Sequence, residues 1–197
     1  MLNRKFFFSQ CRSQLFGGRL TTKQVEGMTA ILDEWETNHS HKDDRWLAYT
    51  LATVYHETDR AMQPIGEYGK GKGKPYGSRL KSATDKNGKH IPYYNTNEIF
   101  YGRGFVQLTW YENYDNAGKK LNQDFIHNAA GVLLLDNAVK ILFFGMMEGW
   151  FTGKKLGDYF GPNKDLWVNA RRIINGTDKA DLIKGYALKF YAAISYK

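Results

Sequence analysis

The chain has 197 residues, 42% of them hydrophobic and 15% aromatic, which is enough to bury a sizeable core and excludes a disordered chain. The formal net charge of +8 points to an anionic partner, whether nucleic acid, an acidic membrane surface or an acidic polymer such as bacterial cell wall, and does not choose among them. A single cysteine, Cys11, excludes an internal disulfide and reads as a passive thiol.

In chain order, the stretch from Met1 to Gln10 is basic, then apolar, with an apolar run too short for a signal-peptide core. It reads as a short helix docking through its Phe residues, and the expectation is a soluble protein made without a cleaved leader. Thr21 or Thr22 caps a first long helix whose buried face is Val25, Met28, Ile31, Leu32 and Trp35. His39 to Asp44 form a polar turn, in which a solvated loop is the expectation over a metal site at His39 and His41. Asp43 or Asp44 caps the next helix.

Trp46, Leu47, Leu51, Val54 and Tyr55 recur at three- and four-residue spacing, so that helix buries one stripe, with Glu57 on its flank. Pro64 disfavours helical geometry at Gln63, which places Glu57 in or near the last turns. There the negative end of the helix dipole and a partly apolar setting both oppose ionisation, as a general acid requires. Taken alone, a helix-end glutamate facing water is the commoner case. The His56-Glu57 pair lacks a second histidine four residues on, because position 60 is Arg, so the zinc-protease motif is excluded.

Residues 66–77 are too glycine-rich for a helix or a central strand. They nearly fit a phosphate-binding loop, but Gly73 stands where Ser or Thr must hold magnesium, and a helix rather than a strand precedes. The loop carries Glu67, Tyr68 and several lysines. Asn87-Gly88 predicts a small hairpin over Leu80 to Tyr94 at the edge of the molecule. From Phe100 to Trp110, β-type residues surround Gly102-Arg103-Gly104. Arg103 there either holds a carboxylate or sits at the surface, and an extended backbone puts Gln107 and Thr109 on one side. Helices are predicted over Phe125 to Leu135, Ala138 to Phe151 with Asp136 as cap, Asp165 to Ile174, and Ala180 to Tyr196. Residues 129–151 are apolar but interrupted by Asp136, Lys140 and Glu148, so they read as a buried core helix and not a membrane span. No repeat or linker marks a second domain, so 1–197 is expected to be one domain with 1–20 as an N-terminal docking segment.

Taken together, His56-Glu57-Thr58, the following Glu67, the string Tyr101-Gly102-Arg103-Gly104-Phe105-Val106-Gln107-Leu108-Thr109, Asn113-Tyr114 and Arg172-Ile173-Ile174-Asn175-Gly176 resemble glycoside hydrolase family 19. The likeness runs from about Thr21 to the C-terminus and is nearest to the short phage and prophage endolysins. It implies a mainly α, lysozyme-like fold, a helical bundle around a central buried helix with a small β-hairpin lobe lining the active-site groove. It also implies an inverting hydrolase with two carboxylates, no cofactor and no metal. Glu57 matches the general acid, Glu67 the general base and Thr109 the residue that helps hold the attacking water. Gln107, Asn113 and Asn175 match positions lining the sugar groove, with Tyr68 and Tyr101 in the substrate-binding set. Arg103 resembles the family's structural arginine near the acid, and His56 a packing residue.

Inverting chemistry needs carboxyl groups roughly 6.5–9.5 Å apart, a span the ten residues between Glu57 and Glu67 can bridge. Asp59, Glu98 and Glu112 are alternatives to Glu67, Glu98 first among them. The expected partner is peptidoglycan or a chitin-like polysaccharide, with peptidoglycan favoured because its carboxylates answer the basic charge. Chitinase action, a non-catalytic wall-binding protein and a nucleic-acid binder using the lysines from 70 to 89 with Tyr68, Tyr76 and Tyr93 are the alternatives. The expectation is a monomer with no nucleic-acid partner and no membrane insertion, accumulating in a bacterial cytoplasm and acting on wall after release.

Overall fold

A computed structural model describes residues 2–195. In chain order the elements are α1 (Arg4–Gln14), α2 (Thr22–Glu34), α3 (Asp44–Glu57), β1 (Ile65–Gly66), β2 (Leu80–Thr84), β3 (His90–Pro92) and β4 (Arg103–Gly104). Then follow α4 (Tyr111–Leu121), α5 (Leu135–Glu148), the single-turn α6 (Leu156–Tyr159), β5 (Phe160–Gly161), β6 (Lys164–Asp165) and α7 (Ala180–Ile194). The chain forms two compact units, Met1–Gln63 with Leu142–Lys197, and Pro64–Ile141, and α5 runs from the second into the first.

The first unit is helical. Thr21 and Gln24 form a reciprocal capping box that starts α2. The helix then widens into a π turn over Trp35–His39, so His39 is not in a solvated turn: it is buried, 3.1 Å from Glu34 and with its ring 4.9 Å from that of Phe143. Burial pushes the His39 imidazole down from its ordinary value. Helix α3 begins at Asp43, whose carboxylate accepts from the Arg45 backbone, and is more enclosed than a stripe pattern implies: Leu47 to Tyr55 are all buried, as in a helix packed on every face. Tyr55 makes an edge contact with Tyr186 of α7 at 4.7 Å and gives its hydroxyl proton to the Leu15 carbonyl at 2.6 Å, while Phe190 of α7 stacks on Phe7 of α1. The Cys11 thiol is buried, and burial raises its pKa.

The second unit carries β1 to β4 and α4. β1 pairs antiparallel with β4, and β2 with β3 around a turn at Asp85–Lys89, as the Asn-Gly signal predicts. Glu112 of α4 accepts from the Ser82 hydroxyl and, at 2.9 Å, from the Ala83 amide, fixing the hairpin to that helix.

Four predicted helices are revised. Phe125 to Leu135 holds only a 3-10 turn at Ala129–Leu133, because Asp124 accepts from the amides of Ile126 and His127 and closes a local turn instead. Helix α5 starts at Leu135 with Asp136 inside its first turn, and stops at Glu148 before Gly149, whose φ is +83°. Asp165 lies in β6, not at a helix cap, and its carboxylate is held by Arg45 at 3.1 Å. The closing helix ends at Ile194; Tyr196, to which it was predicted to extend, lies outside the described residues. Among the described residues no helix is long and apolar enough to cross a membrane.

Candidate active site

Glu57 is the last residue of α3. The Arg60 amide donates to the Tyr55 carbonyl at 2.8 Å and the Asp59 amide to that of His56 at 3.2 Å, a Schellman end that stops the helix directly after the glutamate. The left-handed position of this motif usually belongs to glycine; here Asp59 occupies it with φ +45°, and Arg60 and Met62 also have positive φ. Thr58 locks the turn: its hydroxyl donates to the Val54 carbonyl at 2.7 Å and accepts from the Met62 amide at 3.0 Å.

Glu57 is thus held by a backbone that resists sliding, and its side chain is held too. Arg171 Nη1 donates to Glu57 Oε1 at 2.6 Å, the guanidinium being 5% and the carboxylate 18% exposed. Arg171 Nε donates to the Asp178 carbonyl at 3.1 Å, so the arginine is itself fixed. Arg171, which the sequence did not single out, is thus an arginine that steadies Glu57. Asn175 lies on the same turn, its amide donating to the Arg171 carbonyl at 3.0 Å while its side chain accepts from the Gly176 amide. Within this unit Glu57 Oε2 has no hydrogen-bond partner among the described residues. His56 is half-buried beside it.

In the second unit Glu67 follows β1. Its amide donates to the Gly102 carbonyl at 2.7 Å, the Gly102 amide returns a 3.3 Å bond to Oε2, and the Tyr76 hydroxyl donates to Oε1 at 2.9 Å. Partial burial first, and Glu67 second, raise the Tyr76 phenol, so Tyr76 remains a donor near neutral pH. The glycines of this region serve close backbone approach: a Cβ on Gly102 would meet Gln107 Oε1 at 2.8 Å, and one on Gly77 would meet the Gly71 carbonyl oxygen at 1.8 Å. The loop from Glu67 to Ser78 is a chain of successive turns that presents Tyr68 fully to solvent.

The segment expected to be extended is instead a tight reversal. Arg103 and Leu108 exchange both backbone hydrogen bonds, with Gly104 at φ +89° and Gln107 at +54° inside the loop. Gln107 Nε2 donates to the carbonyls of Ile65 and Gly104, so this side chain ties the loop to β1. Asn113 likewise donates to the Thr109 carbonyl at 2.9 Å. Thr109 is half-buried, between the positive-φ residues Gln107 and Trp110, a clustering of backbone strain of the sort found at functional sites.

Arg103 is neither at the surface nor on a carboxylate: it is 5% exposed, donates to the Ile99 carbonyl and the Tyr114 hydroxyl, and lies 3.5 Å from the Tyr101 ring centroid. Tyr101 and Arg103 line a surface cavity of about 600 Å3 with Glu98 and Lys70. Of the alternative carboxylates, Glu112 is committed to the hairpin and Asp59 to the end of α3, whereas Glu98 faces this cavity. Tyr76 and Tyr93 do not form an open aromatic face with Tyr68, since Tyr76 is engaged by Glu67 and Tyr93 is buried. No cluster of three or more metal-ligating side chains occurs among the described residues.

A family model described as Chitinase class I matches residues 28–156. None of the curated proteins matches the chain. Among solved structures, chitinase C from Streptomyces griseus HUT6037 superposes with a TM-score of 0.62 at 19% identity, covering 98% of this chain and 76% of its own. A bacterial family 19 chitinase, described as differing from the plant enzymes, superposes with a TM-score of 0.57 at 22% identity, covering 100% and 96%. At these identities the structural likeness establishes a fold that is mainly α and lysozyme-like.

Proposed function

The chain belongs to glycoside hydrolase family 19 and is a glycoside hydrolase, and on that premise we propose that it hydrolyses the β-1,4 glycan of bacterial peptidoglycan as an N-acetylmuramidase. The observation that carries the choice of substrate is the charge on residues 66–94. Lys70, Lys72, Lys74, Arg79, Lys81, Lys86 and Lys89 stand there against Glu67 and Asp85, giving five of the formal eight net positive charges, and all but Lys81 are exposed. Peptidoglycan bears muramyl and peptide carboxylates that such a surface attracts, whereas chitin is neutral.

In this reading Glu57 is the general acid. Arg171 can only donate hydrogen bonds, so the oxygen it binds, Oε1, is not the one that carries the proton. In the acid form the proton is on Oε2, from which it passes to the leaving glycosidic oxygen, and Arg171 then stabilises the carboxylate left behind. Glu67 is the general base: donors from Tyr76 and Gly102 fix its plane while it takes a proton from the attacking water, which Thr109 helps to hold. Water adds to the anomeric carbon as the glycosidic bond breaks, and the configuration inverts. Tyr68 offers an exposed ring, and Tyr101, Asn113, Asn175 and Gln107 shape the sugar-binding surface.

Chitin is the second reading, favoured by both similar structures, which are of chitinases. Turnover of purified peptidoglycan and of N-acetylglucosamine oligomers, each at low and high salt, separates the two. The proposal expects faster, salt-sensitive cleavage of peptidoglycan. Cleavage confined to the oligomers and indifferent to salt would assign the chain to chitin.

A further inference from the structure

A groove of about 750 Å3 lies on the first unit, at the opposite end of α3 from Glu57, bounded by the start of that helix and the β5–β6 hairpin. Eleven residues of helix separate Trp46 from Glu57, about 16 Å at 1.5 Å per residue, so the groove belongs to a different place on the unit from the acid.

Its frame is built by Arg45. This guanidinium binds Asp43, Asp165 and the carbonyls of Gly161 and Lys164, fastening the hairpin to the helix. Asp43 and Asp165 are thereby neutralised. Lys42 and Lys164, both lining the groove, have no acidic partner among the described residues. The same groove has an aromatic lining: Trp46 is half-buried, Phe160 is buried, and the Lys42 ammonium is 5.9 Å from the indole centroid. Gly157 lies beside the indole, where a Cβ would make an ordinary contact of 3.5 Å with Cζ2. The Trp46 Nε1 donor is buried and has no hydrogen-bond partner among the described residues.

A half-buried indole and two ammonium groups without acidic partners, all lining one groove, suit a pyranose ring that carries a carboxylate. We infer that this groove is a second glycan subsite that holds a carboxylate-bearing saccharide of the wall polymer, with the ring on Trp46 and the carboxylate between Lys42 and Lys164. The inference rests on the peptidoglycan reading above. Its effect is avidity: a weak second contact on the same polymer raises retention by up to about 100-fold, and a short soluble substrate that cannot reach both places gains nothing.

The test separates the subsite from the catalytic reading. Binding is measured by co-sedimentation of the full chain carrying Glu57→Gln with peptidoglycan sacculi stripped of phosphate polymers, and with chitin. The same chain is compared after adding Trp46→Ala or, as a variant that leaves the core untouched, Lys42→Ala with Lys164→Ala. Cleavage of soluble muropeptide oligomers is measured separately with Glu57 intact. The subsite predicts at least tenfold weaker binding to sacculi for both variants, no change on chitin, and oligomer cleavage within twofold of the parent. Binding to sacculi equal to the parent in the lysine variant, or an equal loss on chitin, overturns it. Failure of the parent to cleave muropeptide oligomers would instead sink the peptidoglycan reading, with the binding arm read on its own.

Discussion

Replacing Arg171 with methionine keeps much of the buried volume and removes the cation that holds Glu57. Breaking a fully buried ion pair costs about 3–5 kcal/mol because it strands a charge. Here the carboxylate keeps 18% exposure, so about 2 kcal/mol is the expected share of the pair, with about 1 kcal/mol more for the lost bond to the Asp178 carbonyl. In the Glu57→Gln background no charge is stranded, and Arg171→Met should cost only the smaller amount. The double-mutant cycle therefore predicts a coupling of about 2 kcal/mol. In urea, with a slope near 2–3 kcal/mol/M, the single Arg171→Met variant should unfold about 1 M earlier than the parent. Turnover should fall about 100-fold, since the carboxylate that forms as Glu57 gives up its proton loses the donor that stabilises it, about 2.7 kcal/mol of barrier reduction. A coupling below about 0.5 kcal/mol would refute the claim that Arg171 acts on Glu57.

Asp59 holds a left-handed position that glycine adopts without strain, so Asp59→Gly should stabilise the protein by about 0.5–1 kcal/mol, read as a melting temperature about 1–4 °C higher, with activity retained. Gly27 of α2 lies against the Met62 carbonyl, which a Cβ would meet at 1.6 Å, so Gly27→Ala should destabilise by at least about 3 kcal/mol in urea unfolding despite its better helix propensity. The Asp43 carboxyl is depressed chiefly by its hydrogen bonds from Arg45. A depressed acid contributes stability that is full above its unfolded value of about 3.9 and is lost as pH falls through the lower folded value. Asp43→Asn keeps a good cap and removes the charge, so it should cost about 1–2 kcal/mol at pH 7, and the gap from the parent should close in urea melts as the pH is taken well below 4.

The parts of the fold legible in the sequence are those whose signals are local. Helix α2 announces its start through Thr21 and Gln24, α3 through Asp43, and the hairpin through Asn87-Gly88. Helix α4 is hard to read although Tyr114, Ala117 and Leu121 recur at helical spacing, because Tyr favours strands, Asn and Asp favour turns, and Gly118 weakens a helix interior. In the fold Gly118 lets the helix approach the Gln123 carbonyl, which a Cβ would meet at 2.6 Å. The reversal at Arg103–Leu108 was read as extended because its β-type residues conceal two positive-φ positions. Glu57 was legible from the helix that delivers it. Arg171 was not, since its pairing spans 114 positions; the only trace was its place beside Arg172-Ile173-Ile174-Asn175-Gly176. Gln107 and Asn113, chosen for the groove, spend their amide donors on backbone carbonyls, a choice that depends on tertiary neighbours.

The central claim, a wall glycan cut with Glu57 as acid, is tested most directly by mass spectrometry of borohydride-reduced soluble fragments. These are collected after purified peptidoglycan is incubated with the parent protein and with Glu57→Gln in parallel. The account predicts reduced muramic acid ends from the parent and none from the variant. Equal release from both proteins would remove Glu57 from the mechanism, and no fragments from either would contradict the wall-hydrolase claim.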